Sequence, residues 1–274
     1  MYTTQSPWDL SGKVALITGG AGFLGFAMAE ALAQAGASVV VASRDAARAT
    51  AAAGKIPGGR GHGVDFDPND TNSIRAAFDK IESEVGPLTT LINAAGGNIP
   101  GATVQPGTSF TALSQSALEE VWKSNVLAGA VLPTQVFIDR ITEKPRDASI
   151  MMIGSVSSDH ALTRVVGYGM AKAAVENLTR WLAVHVARDL KIPLRVNAIV
   201  PGFFLTEQNR YLLQTKEGGL TERGEAITRL TPMGRLGAPE ELGGAAVWLA
   251  SDSSKFVTGA CIPVDGGFTA WSGV

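Results

Sequence analysis

A tyrosine and a lysine stand four residues apart in the stretch YGMAK, as Tyr168 and Lys172. If this stretch is helical, both side chains lie on one face, and the ammonium comes within about 5–6 Å of the phenol. A cation at that distance stabilises a phenolate by roughly 3 kcal/mol, which would lower the tyrosine pKa from about 10 toward about 8. Such a phenol can give a proton to a carbonyl oxygen and take it back.

A serine hydroxyl is the third candidate group for this chemistry. Ser155 closes the apolar run ASIMMIGS, which precedes Tyr168 and has the length of a strand. Reactive groups gather at the carboxyl ends of parallel strands, so Ser155 could polarise the same carbonyl. Without other evidence, a tyrosine and a lysine at this spacing would be interpreted as an ordinary surface pair. Ser155 and a nucleotide site upstream favour the interpretation as an acid–base pair.

That nucleotide site is predicted at TGGAGFLG (18–25), between the strand VALIT (14–18) and a helix over 22–36. Free backbone N–H groups at the start of a helix bind pyrophosphate, and glycines remove the Cβ atoms that would block its approach. A tight turn with close helix packing would also need glycines. The position after the first strand favours the dinucleotide site.

The end of the second strand indicates which dinucleotide binds. Ser43 and Arg44 stand where a carboxylate would bind the ribose of NAD, and a hydroxyl with a guanidinium suits the 2′-phosphate of NADP(H). NADP(H) is therefore favoured. In the alternative, Arg44 is a solvated charge, Asp45 binds the ribose and the cofactor is NAD(H). Asp65, after the third strand, either accepts a hydrogen bond from the adenine amino group or forms a turn.

Strand-length apolar runs alternate with segments of helical period along the whole chain. The pattern predicts an α/β, doubly wound Rossmann fold, with a single seven-stranded parallel sheet, helices on both faces and one domain over 1–274. Two loops, near 97–112 and 203–235, are predicted to cover the substrate. The predicted strands are 14–18, 38–43, 61–66, 88–96, 148–155, 194–200 and 260–265, and the predicted helices are 22–36, 69–85, 115–140, 166–190, 206–230 and 239–250.

Composition excludes several other classes of protein. Lys and Arg number 23 against 25 Asp and Glu, a formal charge of −2, so we expect no nucleic-acid or anionic-membrane partner. Cys261 is the only cysteine, which indicates no disulfide, no metal site and a cytoplasmic location. The apolar run 14–29 contains four glycines and is shorter than the ~20 residues that cross a bilayer, so it is interpreted as a strand and helix.

Taken in order, these motifs resemble the short-chain dehydrogenase/reductase family across essentially the whole chain. The resemblance implies that Tyr168 is the acid and base, that Lys172 lowers its pKa and holds the nicotinamide ribose, and that Ser155 positions the substrate. Asn125 matches an asparagine that anchors a proton-relay water, although it could simply bend its helix. The cofactor-binding residues implied are Gly19, Gly22, Phe23, Leu24, Gly25, Ser43, Arg44, Asp65, Phe66, Asn93, Ala94, Ala95, Gly96, Tyr168, Lys172, Pro201, Gly202, Phe204 and Thr206.

Two features depart from the usual family pattern. The glycine spacing is TGxxGxxG, which resembles the extended branch of the family, whereas the ending VDGG (264–267) is that of the shorter branch and decides the assignment. The usual NNAG is NAAG (93–96) here, and Asn93 could instead form only a strand-end turn.

Three stretches, 92–103, 200–213 and 264–274, resemble the short-chain-type D-mannonate oxidoreductases, also called fructuronate reductases. The resemblance implies a sugar acid substrate. The substrate-binding residues predicted are Asn98, Ser155, Arg164, Gln208, Asn209 and Arg210. Arg210 could bind the carboxylate or belong to its own helix, and Arg164 is the second candidate. The alternative substrates are another polyol, a gluconate-type acid or a cyclic ketone. The alternative function is that of a non-catalytic dinucleotide sensor. Helix 239–250 and the last strand predict a homodimer or homotetramer.

Overall fold

The computed structural model describes residues 6–207 and 209–273, apart from the side chain of Tyr211. Seven parallel strands form one sheet in the order β3-β2-β1-β4-β5-β6-β7. They are β1 Val14–Thr18, β2 Ser38–Ser43, β3 Gly61–Asp65, β4 Thr90–Asn93, β5 Ala148–Ile153, β6 Leu194–Pro201 and β7 Cys261–Val264. The predicted fold class is confirmed. Strand order reverses between β1 and β4, and the carboxyl ends of these two strands therefore flank the crevice in which such sheets bind ligands.

Nine helices are assigned among the described residues. They are α1 Phe23–Gln34, α2 Ala46–Ala53, α3 Thr71–Glu84, α4 Gln115–Trp122, α5 Leu132–Glu143, α6 Val166–Val184, α7 Arg210–Leu213, α8 Glu222–Leu230 and α9 Gly243–Ala250. Asp70 caps α3 by accepting a hydrogen bond from the Asn72 N–H group. Among these helices and the rest of the described chain, none is long and apolar enough to span a membrane.

The sheet has a hydrophobic core on each face, as its unbroken apolar strands require. On one face, Met28 and Leu32 of α1 pack with Leu249 of α9. On the other, Phe78 of α3 and Phe137 of α5 pack in a cluster with side chains of α6. Both β1 and β5 are buried along their whole length, which holds their carboxyl ends in fixed positions.

Three parts of the chain differ from the predicted elements. Helix α2 was not predicted. The predicted helix 115–140 is interrupted by the π-helical segment Lys123–Val131, and 166–190 ends in a second such segment, His185–Asp189. The predicted helix 206–230 is two helices, α7 and α8, joined through an antiparallel bridge between Gln214 and Leu220.

Candidate active site

The turn between β1 and α1 is shaped to receive a pyrophosphate. Gly19 has φ +65°, and a Cβ atom there would lie 2.9 Å from the backbone of Ala94 and Ala95. A Cβ atom on Gly25 would lie 2.6 Å from the Gly19 carbonyl oxygen. Gly22 caps α1 without any side-chain hydrogen bond, so the first N–H groups of the helix are left for a ligand. Phe23 and Leu24 begin this helix, and the predicted glycine motif fits a dinucleotide.

Two arginines lie near the carboxyl end of β2 and the glycine turn. Ser43 and Asp65 are register partners at the ends of β2 and β3, and Arg44 is exposed beside them. Asp45, the alternative ribose ligand, caps α2 by accepting from the Arg48 N–H group at 3.1 Å. The Arg48 guanidinium donates to the Ala21 carbonyl in the glycine turn at 3.3 Å. Arg48 was missed in the sequence because its proximity to that turn depends on the unpredicted helix α2.

Lys172 is buried on the inner face of α6, one turn after Tyr168. Its Nζ atom donates to the Ile153 carbonyl at 2.8 Å and lies 5.5 Å from the centre of the Tyr168 ring. Burial lowers the pKa of Lys172 from 10.5 to about 8, and the negative charge of Glu176 opposes this fall. The ammonium group is thus fixed by the end of β5, a contact that the sequence did not predict.

The Tyr168 hydroxyl lies beside the Ser155 side chain. Burial raises the pKa of Tyr168, and the hydrogen bond with Ser155 lowers it by less, so the net direction is upward. This direction is opposite to the predicted net lowering, because removing a phenolate from water raises the pKa and Lys172 is not among the groups that lower it. A phenol with a raised pKa keeps its proton at neutral pH, ready to donate.

Ser157 orients Ser155 and was also missed in the sequence. Its N–H group and its hydroxyl both donate to the Ser155 oxygen, at 3.2 and 2.9 Å. The Ser155 oxygen therefore accepts from Ser157, and its own proton is left for another acceptor. Ser157 is buried and fixes the position of the Ser155 oxygen.

Asn125 lies in the π-helical segment after α4, and its side chain holds the start of the loop 97–112. Its Oδ1 atom accepts from the Gly97 N–H group at 3.0 Å, while Nδ2 donates to the Gly97 and Val121 carbonyls at 2.7 and 2.9 Å. A Cβ atom on Gly96 would lie 2.5 Å from Asn125 Oδ1. The amide fixes the loop above the cleft, and its role toward a relay water stays a prediction.

Several predicted cofactor residues face the interior with their side chains. Asn93 is buried, and its amide donates to Thr134 of α5 at 2.8 Å. The Phe66 ring belongs to the core, and the Phe204 ring is buried against Gly237. Only the backbone of these residues is left for a cofactor. Pro201 is buried as well, whereas Ala94, Ala95, Gly202 and Thr206 are half-buried and Gly96 is exposed.

Three of the predicted substrate side chains, those of Asn98, Asn209 and Arg210, are hydrogen-bonded within their own segments. Asn98 donates to Thr103 at 2.8 Å. Asn209 accepts from the Thr206 N–H group and donates to the Phe204 carbonyl, at 2.8 and 2.7 Å. Gln208 lies outside the described residues.

The two candidate carboxylate-binding arginines differ in their surroundings. The Arg210 guanidinium donates to Glu207 and Gln214, at 2.7 and 2.8 Å. Arg210 therefore interacts within its own segment, which was the alternative to carboxylate binding. Arg164 is exposed, has φ +76° and makes no side-chain hydrogen bond or ion pair within the described residues. Its carbonyl accepts from the Val104 N–H group at 3.0 Å, which joins it to the loop 97–112.

The carboxyl-terminal tail adds a wall that the sequence did not predict. Asp265 accepts from the Gly267 and Thr269 N–H groups, both at 2.8 Å, and so forms a tight turn. The turn places Phe268 against Phe203, with ring centres 5.1 Å apart, and near His160 at 6.1 Å. His160 therefore packs against the turn of the carboxyl-terminal tail.

Comparison with known proteins decides the family. A family model described as enoyl-(acyl carrier protein) reductase matches residues 20–269. An uncharacterized oxidoreductase of Bacillus subtilis, UxuB, is 42% identical over 277 residues, covering 97% of this chain and 98% of the relative. The chain belongs to the short-chain dehydrogenase/reductase family. This dehydrogenase is accordingly an oxidoreductase that uses a nicotinamide dinucleotide.

Two solved structures resemble this dehydrogenase over nearly their full length. A proposed D-mannonate oxidoreductase of Haemophilus influenzae, with bound NAD, has 37% identity and a TM-score of 0.88, covering 97% of this chain and 98% of that one. A gluconate 5-dehydrogenase of Burkholderia cenocepacia, in complex with NADP and tartrate, has 30% identity and a TM-score of 0.83, covering 97% and 98%.

Proposed function

We propose that this dehydrogenase transfers hydride between NADP(H) and a sugar acid, with D-fructuronate and D-mannonate as the keto and hydroxy forms. The observation that carries the proposal is the Tyr168–Ser155 hydroxyl pair with the buried Lys172 ammonium behind it. We also propose that 1–274 acts as one catalytic domain, because the loops 97–112 and 203–235 extend from strands of the same sheet.

In the direction of reduction, Tyr168 donates its proton to the carbonyl oxygen while Ser155 donates a hydrogen bond to the same oxygen. A dinucleotide held by the glycine turn and Lys172 would supply the hydride that the carbonyl carbon accepts. Lys172 stabilises the phenolate that Tyr168 leaves behind, and the hydroxyl group of the product carries the proton given up. In the reverse direction the phenolate takes that proton back.

A sugar acid is supported by the relatives and by one free cation. The two solved relatives are described as acting on mannonate and gluconate, and one holds tartrate, a hydroxy acid. Arg164 has an unengaged guanidinium at the edge of the loop 97–112, and guanidinium groups bind carboxylates with two parallel hydrogen bonds. A gluconate-type keto acid or another polyol is the second candidate, because the same residues would accept it.

NADP(H) is supported by the two arginines at the adenosine end. Arg44 is exposed there, Arg48 extends to the glycine turn, and the rival Asp45 carboxylate is engaged as a helix cap. NAD(H) remains the alternative, since the solved relative with 37% identity binds NAD. A ratio of kcat/KM for NADPH over NADH well above one would support the phosphate-binding arrangement, and a ratio below one would contradict it.

The decisive assay follows nicotinamide absorbance with D-fructuronate, 5-keto-D-gluconate and cyclohexanone, each with NADPH and with NADH. We expect the highest kcat/KM for D-fructuronate, a lower value for the ketogluconate and none for the neutral ketone. Good reduction of cyclohexanone without reduction of D-fructuronate would remove the sugar acid from the proposal.

The Tyr168→Phe variant tests the chemistry separately from the substrate. We expect kcat to fall by about 10²–10⁴-fold, which is the usual contribution of a general acid, while the Kd for NADPH changes little. Unchanged turnover would refute the acid–base role. A wild-type protein that binds NADPH but reduces none of the keto acids would instead be a sensor.

A further inference from the structure

The catalytic face of α6 continues past Lys172 to a buried carboxylate, Glu176. Its side chain is 3% exposed, and its Oε1 atom is buried without a hydrogen-bond partner. A Cβ atom on Gly154 would lie 2.7 Å from that oxygen, so the carboxylate lies against the end of β5, just before Ser155. An isolated buried carboxylate is costly, and its retention calls for a compensating charge.

The compensating charges lie one helical turn to either side of Glu176. Lys172, which is 5% exposed, precedes it, and Arg180 follows it, with Nη2 3.7 Å from the Glu176 Oε2 atom. The facing strand β7 contributes the Cys261 thiol, whose pKa is raised to about 11 by burial first and by Glu176 second. Tyr168, Lys172, Glu176 and Arg180 therefore form a line at four-residue spacing, in which the charges alternate after the phenol.

We propose that Glu176 is a positioning residue, which holds Lys172 in its ammonium form and so sets the pH range over which Tyr168 exchanges its proton. This inference rests on the Tyr168–Lys172 step of the proposed function and is independent of the substrate.

The sign of the effect follows from the two influences on Lys172. Burial lowers the pKa of Lys172 to about 8, and the Glu176 charge acts in the opposite direction. Removing that charge would lower the pKa further, so the ammonium would be lost at a lower pH. Well below the Lys172 pKa of the wild type and of a variant without the Glu176 charge, Lys172 is protonated in both. The loss of activity caused by removing Glu176 must therefore grow as the pH rises.

The test is the pH profile of kcat/KM for reduction by Glu176→Gln. We expect activity close to the wild type near pH 6 and an alkaline limb displaced to lower pH. At pH values above the Lys172 pKa of both proteins, kcat/KM of the variant should be lower than that of the wild type by about tenfold for each unit by which the Lys172 pKa is lowered. Glu176→Asp, which keeps the charge, should restore the wild-type limb. Glu120→Gln, an exposed change on α4, is the matched control and should leave the profile unmoved.

A double-mutant cycle separates this role from a purely structural one. In the Lys172→Met background, Glu176→Gln should cause little further loss of kcat/KM, because the group it acts through is gone. If Glu176→Gln is unstable, Glu176→Met fills similar space without an unpaired polar atom and takes its place. A loss of equal size at every pH, or an undiminished loss beside Lys172→Met, would overturn the proposal. Unchanged turnover of Tyr168→Phe would point to failure of the proposed function instead.

Discussion

Arg164 combines a strained backbone with an unused charge. Its φ of +76° lies in the left-handed region, which costs a residue with a side chain about 1–2 kcal/mol relative to glycine. Such strain in a loop beside a reactive cluster is consistent with selection for the side chain rather than for stability.

We expect Arg164→Gly to raise KM for D-fructuronate by about tenfold or more, the loss of one charged hydrogen-bonded contact, without lowering the free energy of unfolding. Steady-state kinetics and urea unfolding measure the two quantities. Lys191→Gly is the matched control, because Lys191 is exposed, has φ +55° and lies before β6, away from the carboxyl ends of the strands. An equal rise of KM in both variants would contradict a role for the Arg164 cation.

Sequence reasoning identified the reactive side chains because their spacing alone puts Tyr168 and Lys172 on one helix face. It could not identify Ser157, Arg48 or Glu176, because each acts through a contact or a degree of burial that no local pattern records. It ranked Arg210 first for binding the substrate carboxylate, but the Arg210 guanidinium is hydrogen-bonded to Glu207.

At the scale of elements, periodicity predicted all seven strands, because the buried strands are unbroken apolar runs. Helix α2, with the sequence AARATAAA, buries only the small side chains of Ala49 and Ala53, and its cap Asp45 was considered only as a ribose ligand. The π-helical segment after α4 was equally hidden. It contains Asn125, whose side chain binds the distant Gly97.

The β1–α1 turn gives a prediction that belongs to this scale. Gly19→Ala would place a methyl group 2.9 Å from the Ala94 and Ala95 backbone, so the turn and the end of β4 must separate. We expect the Kd for NADPH, measured by fluorescence titration, to rise by at least about tenfold. Displacing two backbone N–H donors of the turn should cost more than about 1 kcal/mol of binding free energy. Gly12→Ala is the control, because Gly12 has φ +80° but nothing within 4 Å of an added Cβ atom. Equal effects of both changes would attribute the loss to backbone strain alone.

At the scale of the whole molecule, one surface beside α9 remains apolar and open. Trp8, Ala31, Val247 and Trp248 border a shallow groove there with Gly243 and Gly244. The predicted homodimer or homotetramer would cover this groove, and the association stays a prediction.

Gly244→Arg tests it without disturbing the subunit, because an added Cβ atom would meet nothing within 4 Å. We expect the variant to fold and bind NADPH, but to show a smaller mass in light scattering than the wild type, because a buried, unpaired charge is costly. Gly54→Arg, at the exposed end of α2, should leave the mass unchanged. An unaltered mass for Gly244→Arg would exclude this surface as the contact.

The depressed pKa of Lys172 also bears on how the purified enzyme should be stored. An unfolded chain holds this proton up to about pH 10.5, while the folded one releases it near pH 8. Between those values unfolding takes up a proton, so alkaline buffer favours the native form as far as this group is concerned. Below pH 8 the same lysine costs the fold about 3 kcal/mol, and this cost declines only gradually between about pH 8 and pH 10.5, so the storage pH changes the free energy of unfolding through this group.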